Sequence, residues 1–410
     1  MNAERPPIPR YAGKYFVDRD AELALVLDKV RALLSSNPVA RRTTAFYGPR
    51  GSGKSWLICE IAQRLIQEEP FRNRVQALYL ALGSSQPPST TVDSCPIANA
   101  ANHPEQDVQR ALAWCGDQLG LDGSPAALPL DSLSAQVAAR CALSEHPVIV
   151  LADGIDEAPP EFLRLFETYL LAPLVVNPRV LVVLGGRTRD PRPGGGYAWK
   201  MPELKLNADL CDLAPFNEEW VHEQLARLEP DGYPVAPSAA SEVRRTGGGY
   251  PLSNVMLAPH IEGDPPQWRD KGKALKSCAE EMLEGVPPEL RDPFWALSVL
   301  RAFDEDRMPA VLSAWYGDDP TLWDYQRCRR IREDMAAPRL ARWQGERGFV
   351  MDDALREALH NALRENQRER WRALHQAAYN LYAAWVERYP KARARWQPEV
   401  DYHAGCLQEE

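Results

Sequence analysis

The chain lacks the features that would place it among disulfide-stapled, zinc-ribbon or membrane-spanning proteins. Its eight cysteines (Cys59, Cys95, Cys115, Cys141, Cys211, Cys278, Cys328 and Cys406) are scattered, with no C-x-x-C pair and no histidine nearby at zinc spacing. We read them as reduced, mostly buried thiols of a cytoplasmic protein. The opening MNAERPPIPR has no apolar core, so no signal peptide is expected. The longest apolar runs, Leu170–Val176 and Val180–Leu184, fall far short of the ~20 residues that cross a bilayer, and no membrane partner is expected. A surplus of positive charge is missing too. A net charge of −9 argues against a surface built to neutralise nucleic-acid phosphates regardless of sequence, while leaving room for a local basic face. No convincing internal repeat is visible.

What is present is an ordinary globular composition, 45% apolar and 26% charged, in 410 residues, enough for two to four domains. Residues 20–34 put Leu23, Val26, Val30 and Leu33 on one helical face, with Asp20 as a cap. A strand follows at Thr43–Tyr47, then a glycine-rich turn and a helix from Lys54 to about Glu68. Val75–Leu82 reads as a strand, Gly83–Pro104 as a polar surface loop, and Gln106–Leu119 as a helix. Val148–Ala152 and Val180–Leu184 are β-branched apolar runs of the kind buried on both faces of a parallel sheet. Strands alternating with helices over 40–210 predict an α/β layer sandwich. After Leu213 helical periodicity takes over, broken at Pro234–Pro237, Gly247–Gly249 and Gly263–Pro266. Leu340–Trp343, a Gln344–Gly348 turn and Phe349–Met351 read as a β-ribbon, and helices followed by a ribbon predict a winged helix. Ala354–Arg388 reads as one or two amphipathic helices striped by Leu355, Leu359, Leu363, Trp371, Leu374, Ala378, Leu381 and Trp385.

Gly48-Pro49-Arg50-Gly51-Ser52-Gly53-Lys54-Ser55 matches G-x-x-x-x-G-K-S and sits between a strand and a helix, the context that motif needs. The glycines let backbone N–H groups turn inward around phosphates, beside the positive end of a helix. Lys54 is expected to reach the β- and γ-phosphates of ATP, and the Ser55 hydroxyl to ligate Mg2+. A second apolar strand, Val148–Ala152, ends in Asp153-Gly154-Ile155-Asp156-Glu157. A carboxylate at such a strand tip lies beside the phosphate loop, so Asp153 is expected on the magnesium side. Asp156 and Glu157 are candidates to polarise an attacking water, with Glu157 preferred as the base; Asp156 can instead cap the next helix. The strand Val180–Leu184 runs into Gly185-Gly186-Arg187-Thr188-Arg189, and Arg187, nearer the strand end than Arg189, is the expected γ-phosphate contact.

Asp153-Gly-Ile-Asp156-Glu157 resembles the Walker B pattern of STAND nucleoside-triphosphatases, in which a small residue follows the first Asp and an acidic pair comes after it. Phe16-Val-Asp18-Arg19-Asp-Ala-Glu-Leu23 is similar to the family's motif ahead of the P-loop, whose backbone and Arg line the nucleotide; the family usually has Gly where Asp18 stands. Leu213-Ala-Pro-Phe216 resembles the phrase that opens the family's helical domain. Thr246-Gly-Gly-Gly-Tyr250-Pro251-Leu252 resembles its G-x-P motif, whose proline packs on adenine, and Pro251 also suits the first turn of a helix. Phe349-Val-Met351-Asp352-Asp353 falls where the family often has Met-His-Asp, but Asp352 stands in place of the histidine that binds the β-phosphate of ADP. An ionised Asp352 would repel that phosphate, and it can equally serve as an N-cap.

The resemblance spans roughly residues 15–355. It implies a P-loop domain (1–212), a small helical domain (213–265), a winged-helix-like domain (266–355) and a C-terminal helical segment (356–410). It also implies a slow ATPase that uses ATP/ADP and Mg2+ as a signalling switch, closing with ADP and self-assembling as a homo-oligomer with ATP. About 15 residues precede the first motif and about 55 follow the ribbon, room for neither an effector domain nor a repeat sensor together. Either a protein partner supplies the effector or sensor, or the chain is a piece of something longer. Two other readings stay open: an AAA-like ATPase loader on DNA, and a nucleotide-gated transcription regulator. Arg327–Arg332 (RCRRIR) is the one candidate basic helix for DNA, set among Asp324, Glu333 and Asp334.

Overall fold

The computed structural model describes residues 10–82, 93–97, 103–121, 128–187, 197–263, 265–284, 286–336 and 340–408. Its N-terminal half is a parallel sheet of six strands: β1 (Thr43–Tyr47), β2 (Gln76–Leu82), β3 (Ser94–Ile97), β4 (Val148–Asp153), β5 (Val180–Gly186) and β6 (Ala208–Asp212), in the order β3-β2-β4-β5-β1-β6. β1 and β4 are adjacent to β5 on either side, with Ala45 opposite Leu184 and Ala152 opposite the same residue. That order places the loop after β1 next to the carboxyl end of β4, as in open α/β sheets that gather ligands there.

The sheet is covered on both faces, which explains why its central strands are uninterrupted apolar runs. One face carries α1 (Asp20–Leu34) and α2 (Lys54–Gln67), whose Leu23, Val26, Val30, Leu57, Ile58 and Ile61 are buried against Phe46, Tyr79, Leu151 and Val183. The other carries α3 (Pro104–Gln118), α4 (Leu130–Ala142), α5 (Pro160–Phe166) and α6 (Ala172–Val175), with a π-helical turn at Glu167–Leu171 joining the last two. Fully burying one such Leu, Ile or Val is worth about 1.5–3 kcal/mol, so this sandwich is held mainly by side-chain burial. The short α7 (Pro202–Lys205) leads into β6. The expected Gly83–Pro104 loop contains β3 within its described part, parallel to β2 with Leu80 opposite Cys95. Pro96 lies within this edge strand, where a missing N–H costs least.

The C-terminal half is helical: α8 (Glu218–Leu228), α9 (Ala240–Gly247), α10 (Pro251–Leu257), α11 (Lys271–Met282), α12 (Pro288–Leu297), α13 (Met308–Tyr316), α14 (Tyr325–Ala336), α15 (Asp353–Asn366), α16 (Arg368–Arg388) and α17 (Arg393–Gln408). Two antiparallel ribbons interrupt it, β7 (Ile261–Glu262) with β8 (Gln267–Trp268), and β9 (Ala341–Trp343) with β10 (Phe349–Met351). Phe303 adds an antiparallel bridge to Phe349, so α12, α13 and α14 precede a ribbon whose third chain comes from the α12–α13 link. The expected Ala354–Arg388 stretch is two helices, parted at Gln367. Of its stripe, Leu355 through Ala378 are buried, and Tyr382 takes the core place beside the half-buried Leu381. Residue 355 lies inside α15, which packs on α11, and one apolar core runs from Phe216 to Cys406.

Candidate functional site

The turn between β1 and α2 is built around left-handed backbone at Gly51 (φ 84°) and Gly53 (φ 93°), which side chains resist. A Cβ on Gly51 would meet Leu252 Cβ at 2.7 Å, and the Leu252 N–H donates to the Gly51 carbonyl at 3.2 Å, so the start of α10 is seated directly on this loop. Lys54 is turned back onto it: Nζ donates to the carbonyls of Gly48 (2.7 Å) and Pro49 (2.9 Å) and lies 3.4 Å from Ser52 Oγ. Burial lowers the Lys54 pKa, while the carboxylates of Asp156 and Asp153 oppose that shift. The ammonium is thus an internal cation held by carbonyl oxygens, able to exchange them for an anion.

Asp153 closes β4 with its side chain buried. Tyr79 Oη donates to Asp153 Oδ2 at 3.3 Å, and the Ser55 hydroxyl bonds the same carboxyl. Burial raises the Asp153 pKa, and Ser55 and Lys54 pull the other way. A buried carboxylate and a hydroxyl bonded to one another are hard oxygen donors of the kind Mg2+ takes, so this pair fits the ion. Gly185 and Gly186 let β5 come close: a Cβ on Gly185 would stand 2.9 Å from Asp153 Oδ1, and one on Gly186 3.3 Å from Asp156 Oδ1.

Asp156 grips Arg187. Its Oδ1 accepts the Arg187 backbone N–H at 2.7 Å and its Oδ2 lies 3.1 Å from Nε, while Arg187 Nη2 is 4.0 Å from Glu157 Oε1. Glu157 keeps 32% of its side-chain surface, yet the cavity walls desolvate it enough, with Asp156 beside it, to raise its pKa; Arg187 opposes. Arg189 lies outside the described residues.

Arg19 is buried, in left-handed backbone at φ 74°, and Nη2 donates to Ala214 O (2.7 Å) and Ser52 O (3.3 Å). Its guanidinium also lies over the Phe216 ring, 5.0 Å from the centroid, tying the segment before α1 to the P-loop and to the chain leaving β6. Asp18 has φ 57°, which accounts for glycine being the residue expected there; Asp is among the few side chains that tolerate it. Pro251 is the first residue of α10, and a Cβ on Gly53 would stand 3.7 Å from Pro251 Cγ. Both expected roles of that proline, helix start and site wall, are compatible with its position.

These residues line a cavity of about 650 Å³, a size suited to a nucleotide-scale ligand. Its lining combines the charged and hydroxyl groups of Arg50, Lys54, Ser55, Asp153, Glu157 and Arg187 with the apolar surfaces of Phe16, Val17, Phe216, Pro251 and Val255. Arg50 belongs to the loop motif, but its partners escape a sequence reading, as do the wall residue Gln224 and the Asp153 neighbour Tyr79. Arg50 points off the loop toward α11, where Nη1 donates to Glu284 O (3.0 Å) and Nη2 lies 3.6 Å from Glu281 Oε1. Gln224 donates to Pro251 O at 3.1 Å and accepts from Asn254 at 2.9 Å, fixing α10 to α8. Only long-range pairing brings them together. Tyr79 had a weaker signal, one polar ring in an apolar strand that turns out to be next to β4.

Asp352 caps α15, accepting the Leu355 N–H at 3.2 Å, and it is close enough to the cavity that Lys54 and Arg187 both act on its charge. In α14, Arg327, Arg329 and Arg330 are exposed; Arg329 pairs with Glu333 at 2.8 Å, Arg332 with Glu305, and Arg327 stacks on Trp323 at 3.8 Å. Cys406 of α17 lies with His360 of α15 and His375 of α16, one ligand atom of each within 4.8 Å of the others, a grouping that sequence spacing does not show because it is drawn from three helices.

No family model matches the chain, and no curated protein is similar to it in sequence. Solved structures are. The Walker-type ATPase of Pyrococcus abyssi superposes over 86% of this chain and 98% of its own, with 14% identity and TM-score 0.51. The ORC2 protein of Aeropyrum pernix in its ADP form covers 89% of this chain and 96% of its own, again at 14% identity and TM-score 0.51. A STAND protein of Pyrococcus horikoshii with a tetratricopeptide repeat sensor overlaps 97% of this chain and 55% of its own at 12% identity, but with TM-score 0.37 it bears no weight. The chain has the fold of the Walker-type, P-loop ATPases.

Proposed function

We propose that the chain is a magnesium-dependent ATPase whose nucleotide cavity doubles as the latch of a conformational switch. The observation that carries this reading is the composition of the cavity wall: Lys54, Ser55, Asp153, Glu157 and Arg187 come from the sheet domain, and Pro251, Leu252, Glu281 and Glu284 from the helical half. A ligand there would touch both halves at once.

In this reading Lys54 leaves the Gly48 and Pro49 carbonyls for the β- and γ-phosphates, assisted by the inward N–H groups of 48–53. Ser55 and Asp153 would hold Mg2+, which supplies charge neutralisation at the phosphate oxygens. Asp156 positions Arg187, and Arg187 is released toward the γ-phosphate when that group competes for it. Glu157 is then the acid left to orient and deprotonate water. The apolar end, with Pro251, takes the base, and Arg19 keeps the P-loop in register with the Ala214–Phe216 crossover.

The switch rests on charge. Asp352, at the head of α15, shares the field of Lys54 and Arg187, and a phosphate among them would repel it. ATP thus favours withdrawal of the helical half and exposure of a surface for self-association, with slow hydrolysis resetting it. The resemblance to STAND proteins gives the same behaviour and a protein effector or sensor as partner. Isothermal titration with ATP–Mg2+ tests the site: Lys54→Ala should abolish binding, and normal affinity in that variant would overturn the assignment.

A second reading has its own observation. α12, α13 and α14 precede the β9–β10 ribbon, an order compatible with the expected winged helix, and α14 exposes Arg327, Arg329 and Arg330. A DNA-acting ATPase would use that helix. Against it, Arg329 and Arg332 are already paired with acids. Retention of duplex DNA that falls steeply with salt would favour this reading.

A further inference from the structure

We propose that the C-terminal helices contain a transition-metal site, formed by His360 of α15, His375 of α16 and Cys406 of α17, which binds a zinc-class ion and staples α17 onto the two helices before it. The site is remote from the nucleotide cavity in composition and stands independently of the function proposed above.

The geometry comes first. One imidazole nitrogen from each histidine and the Cys406 sulfur all lie within 4.8 Å of one another. His360 Nε2 and His375 Nε2 are 3.1 Å apart. Tetrahedral zinc bonds of about 2.0–2.1 Å to nitrogen and 2.3 Å to sulfur require ligand atoms roughly 3.3–3.8 Å apart, so only a small adjustment separates this cluster from a coordination shell. His375 and Cys406 are buried and His360 half-buried.

The hydrogen-bond bookkeeping points the same way. His375 has a histidine nitrogen at each end: His360 Nε2 at 3.1 Å, and His403 Nδ1 at 2.8 Å from its own Nδ1. Trp371 Nε1–H already donates to His360 Nε2 at 3.1 Å. If the His375 proton sits on Nε2, two donors compete for one lone pair on His360; the buried Nε2 of His403 is without a partner in either arrangement. If it sits on Nδ1, that N–H is satisfied by His403, but two lone pairs then face each other at His360 and His375. The second arrangement is the one a metal ligand adopts, with the far nitrogen donating to an orienting group. A cation between the two lone pairs turns their repulsion into coordination.

Burial holds the three histidines neutral, lowering His360 to about 4, His375 to about 2 and His403 to about 3, so their lone pairs are available at neutral pH. Arg356 and Arg364 act on His360 and Arg301 on His403, a positive surround with no carboxylate among the ligands. That excludes Mg2+ and Ca2+, which need oxygen donors, and selects an ion that nitrogen and thiolate bind strongly. Binding would take the His360 lone pair from Trp371, so the indole N–H opposes the metal. With three protein ligands, one position of a tetrahedral ion stays exchangeable.

The test is titration of the chelator-treated full chain, without nucleotide, with Co2+ followed by Zn2+. One equivalent of Co2+ should bind with a thiolate charge-transfer band in the near ultraviolet and visible tetrahedral bands, and Zn2+ should bleach both. Cys406→Ser should lose the charge-transfer band. His360→Asn, at the half-buried position, should weaken affinity at least tenfold, and His403→Phe by about 10- to 100-fold through loss of the orienting bond. Trp371→Phe, which removes the opposing donor, should bind more tightly. Circular dichroism checks folding, and if Cys406→Ser is unfolded the His360→Asn and Trp371→Phe pair, with opposite signs, decides. The absence of stoichiometric binding, or a charge-transfer band that persists in folded Cys406→Ser, would overturn the proposal.

Discussion

Asp352 is the residue at which the chain departs most from the pattern it resembles, and its chemistry is open to measurement. Burial raises its pKa from the ordinary 3.8 to about 6, with the Leu355 N–H, Arg187 and Lys54 pulling it down. The folded protein therefore holds this proton more tightly than the unfolded chain, so stability from this group is complete below about pH 4 and is lost as the pH rises through about 6. Asp352→Asn keeps the helix cap while removing the charge. We predict that it melts about 1–3 °C higher than the parent above pH 6, with the gap closing below pH 4; an unchanged gap across that range would clear Asp352 of the role. Glu157 belongs at the same scale. Glu157→Gln should cut turnover about 10²- to 10⁴-fold while ATP still binds, which single-turnover and binding assays separate. Unimpaired turnover would move the base to another group. Lys54, Ser55, Asp153 and Arg187 stood out in the sequence because the loop and strand tips that hold them carry glycines, a local signal, whereas Arg19 and Pro251 were reached only through the resemblance to a family. Tyr79, Gln224, Glu281 and Glu284 carry no such signal, since their importance comes only from which element they end up facing.

Elements were readable where burial is uniform or periodic. β1, β4 and β5 are buried throughout, and their runs of β-branched and other apolar residues announce it. β3 was hidden because an edge strand needs to satisfy only one neighbour, and its Ser94-Cys-Pro-Ile97 looks like loop. α17 was expected only as part of a C-terminal helical segment, without bounds of its own: Pro398 lies within it and its apolar residues make no coherent stripe, and it carries aromatic contacts such as Trp396 with Trp385 at 4.8 Å. The joint between α10 and the P-loop offers a test at this scale. Gly51→Ala would force a side chain into left-handed backbone and against Leu252. We expect a loss of about 1–3 kcal/mol in unfolding free energy together with weakened ATP binding, measured by denaturation and calorimetry. If affinity survives intact, the docking of α10 is not part of the nucleotide site.

For the molecule as a whole, the question is whether nucleotide alone can move the helical half. Reversing a population from 1:99 to 99:1 takes about 5.5 kcal/mol. A charge-assisted contact from Arg187 to a γ-phosphate supplies roughly 1.5–3 kcal/mol. The Arg50 contact with Glu284 involves side chains 28% and 58% exposed and is worth about 0–1 kcal/mol, so in the proposed switch it would steady a closed form without locking it. Arg50→Ala should accordingly speed release of a fluorescent ADP analogue in stopped flow by no more than several-fold; a change of a hundredfold would mean that this contact is the lock. The shortfall has to come from a bound partner or from subunit packing, which is why assembly belongs in the account. The measurement that tests it most directly is particle mass by light scattering, at matched concentrations, without nucleotide, with ADP–Mg2+ and with a non-hydrolysable ATP analogue, at two salt concentrations with and without duplex DNA. A discrete larger species is expected with the ATP analogue alone, independent of DNA. Growth only with DNA, lost at high salt, or a single unchanged mass in every condition would contradict it.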